Sequence, residues 1–170
     1  MDGAGNVSAN FDPRYLKSMP EVTFEQFFLG KRELHGCSEM LDLAAFKELG
    51  GFDDSIGHED FPMMLRLLRK CSPLPVVATD CCHYRIHGSN LSSASTVENV
   101  DFLYKNMLDT VDSYRDHPLY KKAKNLWKAR YFSALTNCSK VEALRRLPKL
   151  ASCTLYFWLR TLKLFLPKRK

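Results

Sequence analysis

Two short stretches of this sequence gather most of the side chains capable of chemistry. The first is Gly50-Gly51-Phe52-Asp53-Asp54-Ser55-Ile56-Gly57-His58-Glu59-Asp60. A glycine-flanked loop here delivers two adjacent carboxylates, Glu59 and Asp60, to the start of a helix. A carboxylate held there faces outward and can accept a proton from a bound hydroxyl. Its neighbour can hold the loop through backbone N–H groups. The same two residues also suit a plain solvated helix start, because acidic groups complement the positive end of the macrodipole. The second stretch is His83-Tyr84-Arg85-Ile86-His87-Gly88-Ser89-Asn90. Strand alternation puts His83, Arg85 and His87 on one side. Two imidazoles and a guanidinium suit a phosphate or a metal-bound diphosphate, and they suit an ordinary polar strand face as well. Gly88-Ser89-Asn90 allows a loop to follow.

The elements that must position these groups are legible from pattern. Asp2-Gly3-Ala4-Gly5-Asn6 is turn material, a candidate hairpin tip. Thr23 and Gln26 match a capping box and predict a short helix to Leu29. Gly36 to Leu41 reads as a strand. Asp42 can cap a helix over Leu43–Leu49, and Gly50-Gly51 would end it. Phe61, Met64, Leu65 and Leu68 recur at helical spacing within Glu59–Lys70, and Pro62 falls in the first turn, where no helical bond is lost. Pro73 and Pro75 end that helix. Leu74 to Thr79 reads as a short buried strand, with Cys82 to Ile86 its continuation or neighbour. From Val97 the pattern is helical. Val97, Val100, Leu103, Tyr104, Met107, Leu108 and Val111 form one face. Leu119, Tyr120, Ala123, Leu126, Trp127, Arg130, Tyr131 and Ala134 form another, and His117-Pro118 divides the two. Further helices are expected over Val141–Leu147 and Ala151–Leu166.

Composition sets outer limits. With 45% hydrophobic and 26% charged residues, the 170-residue chain has ordinary globular composition. The net charge of +6 is local: residues 140–170 hold nine Lys/Arg and one acidic residue, +8, so the first 139 sum to −2. A chain-wide nucleic-acid footprint is therefore not expected. The six cysteines form no C-x-x-C pair, and Cys81 and Cys82 are adjacent, so reduced thiols in a cytoplasmic setting are expected. Met1 to Asn10 is polar and lacks a secretory pattern. No apolar run reaches the ~18 residues of a spanning helix. The basic end mixes Leu155, Phe157, Trp158, Leu162, Phe165 and Leu166 with Arg160, Lys163, Lys168, Arg169 and Lys170. That mixture suits an anionic membrane interface, or a docking helix whose charges are solvated.

Taken in order, several segments resemble the acceptor half of family 2 glycosyltransferases, which have the A-type nucleotide-sugar fold. They are His35-Gly36-Cys37-Ser38, then Gly50-Gly51-Phe52-Asp53-Asp54-Ser55. Glu59-Asp60-Phe61 follows, leading into Leu65-Arg66-Leu67-Leu68-Arg69-Lys70, and last come Tyr84-Arg85-Ile86-His87-Gly88-Ser89-Asn90 and Ser92. The resemblance runs from about Asp2 to Ser93 and weakens over the C-terminal helices. It implies an α/β chain, a partial A-type glycosyltransferase fold with few, mixed strands followed by a C-terminal helical extension. The expected divisions are an acceptor-side half over 1–95, a helical hairpin over 96–139 and a basic amphipathic tail over 140–170. The resemblance implies that the acidic dipeptide supplies the base, Asp60 first and Glu59 next. It implies a metal or diphosphate role for His87, with Arg85 beside the same diphosphate and His58 in the same substrate-binding group.

The chain departs from the family in several places. It has no Asp-x-Asp, the motif that carries the divalent metal, Mn or Mg, in the family's donor half. Asp2-Gly3-Ala4-Gly5-Asn6 resembles the hairpin just after that motif, so the chain is expected to begin where a donor site has ended. His58 and Pro62 differ from the residue types expected around the dipeptide, and no Gln-x-x-Arg-Trp motif of processive synthases is present. The leading expectation is therefore a glycosyltransferase, or a truncated or split part of one. It would transfer sugar from a nucleotide-sugar donor to a surface-polysaccharide or glycolipid acceptor; the isolated chain would be inactive, and a separate donor-half chain could be its partner. It would lie in the cytoplasm, peripheral on the inner membrane face. A non-catalytic accessory or remnant protein that kept the acceptor platform is the alternative. A peripheral helical protein binding membrane or nucleic acid through its tail is a third reading, disfavoured by the Glu-Asp and Arg-Ile-His clusters.

Overall fold

The computed structural model describes residues 20–32, 34, 39–53, 55–57, 59–77, 96–151 and 155–162. In chain order these form β1 (Glu21–Val22), α1 (Phe24–Phe28), α2 (Leu43–Glu48), α3 (Asp60–Cys71), β2 (Leu74–Pro75), α4 (Val97–Asp112), α5 (Tyr120–Cys138), α6 (Lys140–Leu150) and α7 (Leu155–Thr161). The chain is rich in helix. Its described sheet is a single antiparallel pair, β1 with β2, in register Glu21 to Pro75 and Val22 to Leu74. The chain divides into two compact units, residues 1–90 and 91–170.

In the first unit the local signals act as expected. Thr23 caps α1 by accepting from Gln26 N at 3.2 Å, while Gln26 Oε1 accepts from Thr23 N at 3.0 Å. Asp42 caps α2 by accepting from Ala45 N at 2.8 Å. Gly50 N donates to Lys47 O and Gly51 N to Phe46 O, each at 3.0 Å, which closes α2 with a Schellman turn. Both glycines hold positive φ, 83° and 65°, where a side chain is strained. The core is centred on α3. Phe61, Met63, Met64, Leu65, Leu67 and Leu68 are buried, as are Val22, Phe24, Phe27 and Phe28; α3 packs against α1, with the Phe27 and Phe61 rings 5.3 Å apart. Burial thus extends beyond the expected four-residue stripe. Of the strand expected over Leu74–Thr79, the described residues show Leu74–Pro75 in the ladder and 76–77 outside it, while 78–79 lie outside the described residues; Pro73 and Pro75 carry no N–H to donate. Val76 N extends the pairing by donating to Pro20 O at 2.7 Å. Of the expected strand over Gly36–Leu41, residues 39–41 show no strand and 36–38 lie outside the described residues, as does Cys82–Ile86.

In the second unit α5 is the central helix. It packs against α4, α6 and α7, and Val100, Ala129, Tyr131, Phe132, Leu135, Ala143, Leu150 and Phe157 make one buried cluster. The expected face on α5 omitted Ala129, Phe132, Leu135 and Thr136, all buried. A helix covered on several sides loses the single apolar stripe that periodicity detects. α6 runs past Pro148 to Leu150 instead of stopping at Leu147, because Leu150 reaches the core. Phe157 of α7 is fully buried and its ring lies 4.9 Å from that of Phe132. α4 and α5 are joined twice by the same device. Asp112 accepts from the Tyr120 hydroxyl and from Lys124, both at 2.9 Å. Eleven residues earlier on α4, Asp101 accepts from the Tyr131 hydroxyl at 2.6 Å and from Arg146. Eleven residues is about three helical turns, so both acids lie on one face of α4. No described helix is long and apolar enough to cross a membrane.

Candidate functional site

The Gly50–Asp60 loop is built from α2 outward. The Schellman turn reverses the chain, and a Cβ on Gly51 would lie 3.3 Å from the Phe46 ring, so the turn sits tightly on α2. Phe52 then packs edge-on to Phe46 at 5.0 Å. Asp53 forms an Asx turn, its Oδ1 accepting from Ser55 Oγ at 2.6 Å and from Ser55 N at 3.0 Å. These bonds, the hydroxyl's first, hold the Asp53 carboxyl below its ordinary value, and the Arg66 charge assists. Arg66 reaches back from α3 to donate through Nη2 to Gly51 O. The loop's near end is therefore tied to the helix that its far end begins. Lys70 adds an ion pair from the end of α3 to Glu48 of α2.

At that far end Glu59 occupies the N-cap of α3 and Asp60 its first turn. Glu59 is half-buried and makes no capping bond through its side chain, while Asp60 is exposed. A side chain that sequence reasoning passed over belongs with them. Glu39 is half-buried, and its carboxyl is pushed up to about 7, first by burial and then by the negative charge of Asp60. Its one sequence signal is its place directly after His35-Gly36-Cys37-Ser38. A carboxyl that changes charge near neutrality can take or return a proton. The described portion of the site is thus a pair of interacting carboxyls, Glu39 and Asp60, at a helix start behind a pinned glycine turn.

Of the other sequence-derived candidates, His58, Arg85 and His87 lie outside the described residues, as does His83. Among the described residues no group of three or more His, Cys, Asp or Glu is placed to hold a metal ion. Cys71 is an exposed free thiol. Comparison with protein-family models, with curated proteins and with solved structures finds no match to this chain.

Proposed function

We propose that this chain carries the acceptor-side half of a family 2-type glycosyltransferase with a partial A-type fold. In this reading it acts at the cytoplasmic face of a membrane on a surface-polysaccharide or glycolipid acceptor. The observation that carries the reading is the placement of Asp60 at the start of α3 beside Glu39. The ordered motifs from His35 to Asn90 support it. In the reaction, an acceptor hydroxyl attacks the anomeric carbon of a nucleotide sugar. The hydroxyl proton passes to the Asp60 carboxylate, the new glycosidic C–O bond forms, and the bond to the diphosphate breaks. The Glu39 carboxyl is raised by burial and by the negative charge of Asp60, and that repulsion ends when Asp60 gains its proton. Glu59 is the next candidate base. Positive charge must meet the leaving diphosphate, and Arg85, His87 and His58 are the residues this chain offers. A divalent ion, Mn or Mg, would neutralise the same diphosphate in the complete enzyme, with His87 the residue here assigned to it.

The test uses the chain joined to whatever its own genomic reading frame encodes upstream, or co-expressed with a separate donor-half chain. Transfer from labelled nucleotide sugars to a glycolipid extract is measured. Asp60→Asn keeps the shape and removes the base, so the rate is expected to fall ~10²–10⁴-fold with the fold unchanged. A rate within a factor of a few of the parent overturns the assignment of Asp60. A second reading is an accessory protein with an acceptor platform. It predicts glycan binding that Asp60→Asn leaves intact and no transfer in any combination.

A further inference from the structure

The two units carry opposite charge. Residues 1–90 hold thirteen acidic and nine basic side chains, −4, whereas residues 91–170 hold sixteen basic and six acidic, +10. The second unit also leaves large apolar groups uncovered on α7 and the residue directly after it: Trp158, Leu159 and Leu162 are 54%, 55% and 58% exposed. These three form one face. At about 100° per residue, Trp158, Leu162 and Leu159 fall within an arc of about 100°, and Phe157 points roughly 150° from its centre. Phe157 is fully buried against Phe132. The helix is therefore seated by one ring, with its opposite face presented outward. Thr161 secures it by donating through Oγ1 to Phe157 O at 3.0 Å. In sequence the exposed face is followed at once by Lys163 and then by Lys168, Arg169 and Lys170.

We infer that the outward face formed by Trp158, Leu159 and Leu162 is a docking surface for an anionic lipid bilayer, entered by those three side chains and matched in charge by the +10 of residues 91–170. This deepens the membrane location of the glycosyltransferase reading by naming the surface, and flotation tests it separately from the transfer assay on Asp60. Tryptophan prefers the headgroup level, leucine the acyl boundary, and lysine and arginine the anionic surface. A second copy of the chain is a poorer occupant, because joining the faces would bring two +8 segments together. A nucleic acid would satisfy the cations but gives two leucines nothing apolar to enter. The face lies on a seven-residue helix, so the contact is interfacial and does not span the bilayer.

The full chain is mixed with vesicles of phosphatidylcholine alone or with about 30% phosphatidylserine and floated, at low and high salt. Flotation is expected with the anionic vesicles at low salt, falling as screening shortens from ~10 Å at 0.1 M toward ~3 Å at 1 M. The triple variant Trp158→Ser, Leu159→Ser, Leu162→Ser leaves Phe157 in place and should bind at least ~10-fold more weakly. Unchanged Trp127 emission confirms that this variant is folded. Reversal of Lys168, Arg169 and Lys170 to Glu should weaken binding by a similar factor on anionic vesicles. The inference is overturned if the parent does not float at low salt, or if the serine variant floats equally. It is also overturned if the parent forms a dimer or binds RNA without binding vesicles.

Discussion

In the second unit each carboxylate on the inner side of α4 meets a tyrosine hydroxyl and a basic side chain: Asp101 with Tyr131 and Arg146, Asp112 with Tyr120 and Lys124. In the first unit Glu39 meets another carboxylate, Asp60, and its own burial is left uncompensated. Burial alone would raise Asp101 and Asp112, but hydrogen bonds from Tyr131 and Arg146, and from Lys124 and Tyr120, outweigh it and hold both below their ordinary values. The Tyr131 hydroxyl is correspondingly pushed up to about 12, first by burial and then by its bond to Asp101. The second unit thus uses its partly buried charges to fix how helices register. The first leaves one carboxyl unstable in its charge next to an exposed one. A carboxyl raised by burial and by a like charge, beside a pinned turn, sets the acidic pair of the first unit apart from Asp101 and Asp112.

The comparison can be broken hardest through the cores. Phe132→Ala should cost the second unit about 3–5 kcal/mol. Both tryptophans lie in that unit, so urea unfolding followed by tryptophan emission reports it alone. Leu65→Ala, a fully buried position in the first unit, should cost about 2–5 kcal/mol there. It should accelerate amide exchange in α3 while the tryptophan transition stays put; movement of both transitions together would show that the units unfold as one.

A smaller effect, about 1–3 kcal/mol, is expected for Arg146→Met, which leaves Asp101 with one fewer charged partner. The same linkage gives the second unit an acid-sensitive limb. The folded Asp101 value is depressed, so its contribution is present above the unfolded value near 4 and is lost as pH falls through the lower folded one. Arg146→Met should flatten that limb, and an unchanged acid transition would dismiss the pairing as a stabiliser.

Glu39→Gln sharpens the contrast from the other side. Its folded value is raised, so the ionised form is the unfavourable one, and the penalty grows as pH rises from about 4.5 through about 7. The variant should therefore stabilise the first unit at about pH 8, on the order of 1 kcal/mol once solvent screening is allowed for, and leave it unchanged near pH 4. Amide exchange in α3 at the two pH values reads this directly. Equal stability at both would remove Glu39 from the site.

Local signals were the most legible part of the sequence. Thr23 with Gln26, Asp42 with Gly50-Gly51, and the Phe61 to Leu68 spacing each specify an element from residues that lie within one or two turns of it. What pattern missed depends on neighbours distant in sequence. Phe132 and Leu135 lie off the expected stripe of α5 because two more helices cover that side. Leu150 carries α6 past a proline because the core rewards it. Glu39 carries no motif of its own; its altered charge comes from burial and from Asp60, twenty-one residues on. The Glu59-Asp60 start of α3 was readable from the glycines and the apolar run that bracket it.

The seating of Phe157 on Phe132 also orders events in time. The N-terminal part of a chain emerges first, at roughly 5–20 residues per second. Val100, Phe132, Leu135, Ala143 and Leu150 are all synthesised before Phe157, so the part of the Phe132 ring that Phe157 covers stays open for about 1–5 seconds after that ring leaves the ribosome. During that interval an apolar surface is open to other nascent chains, and α7 is the element whose arrival closes it. A translational pause between the codons for Leu150 and Phe157 would lengthen the exposure and raise the yield of aggregated product, with the finished protein's stability unaltered.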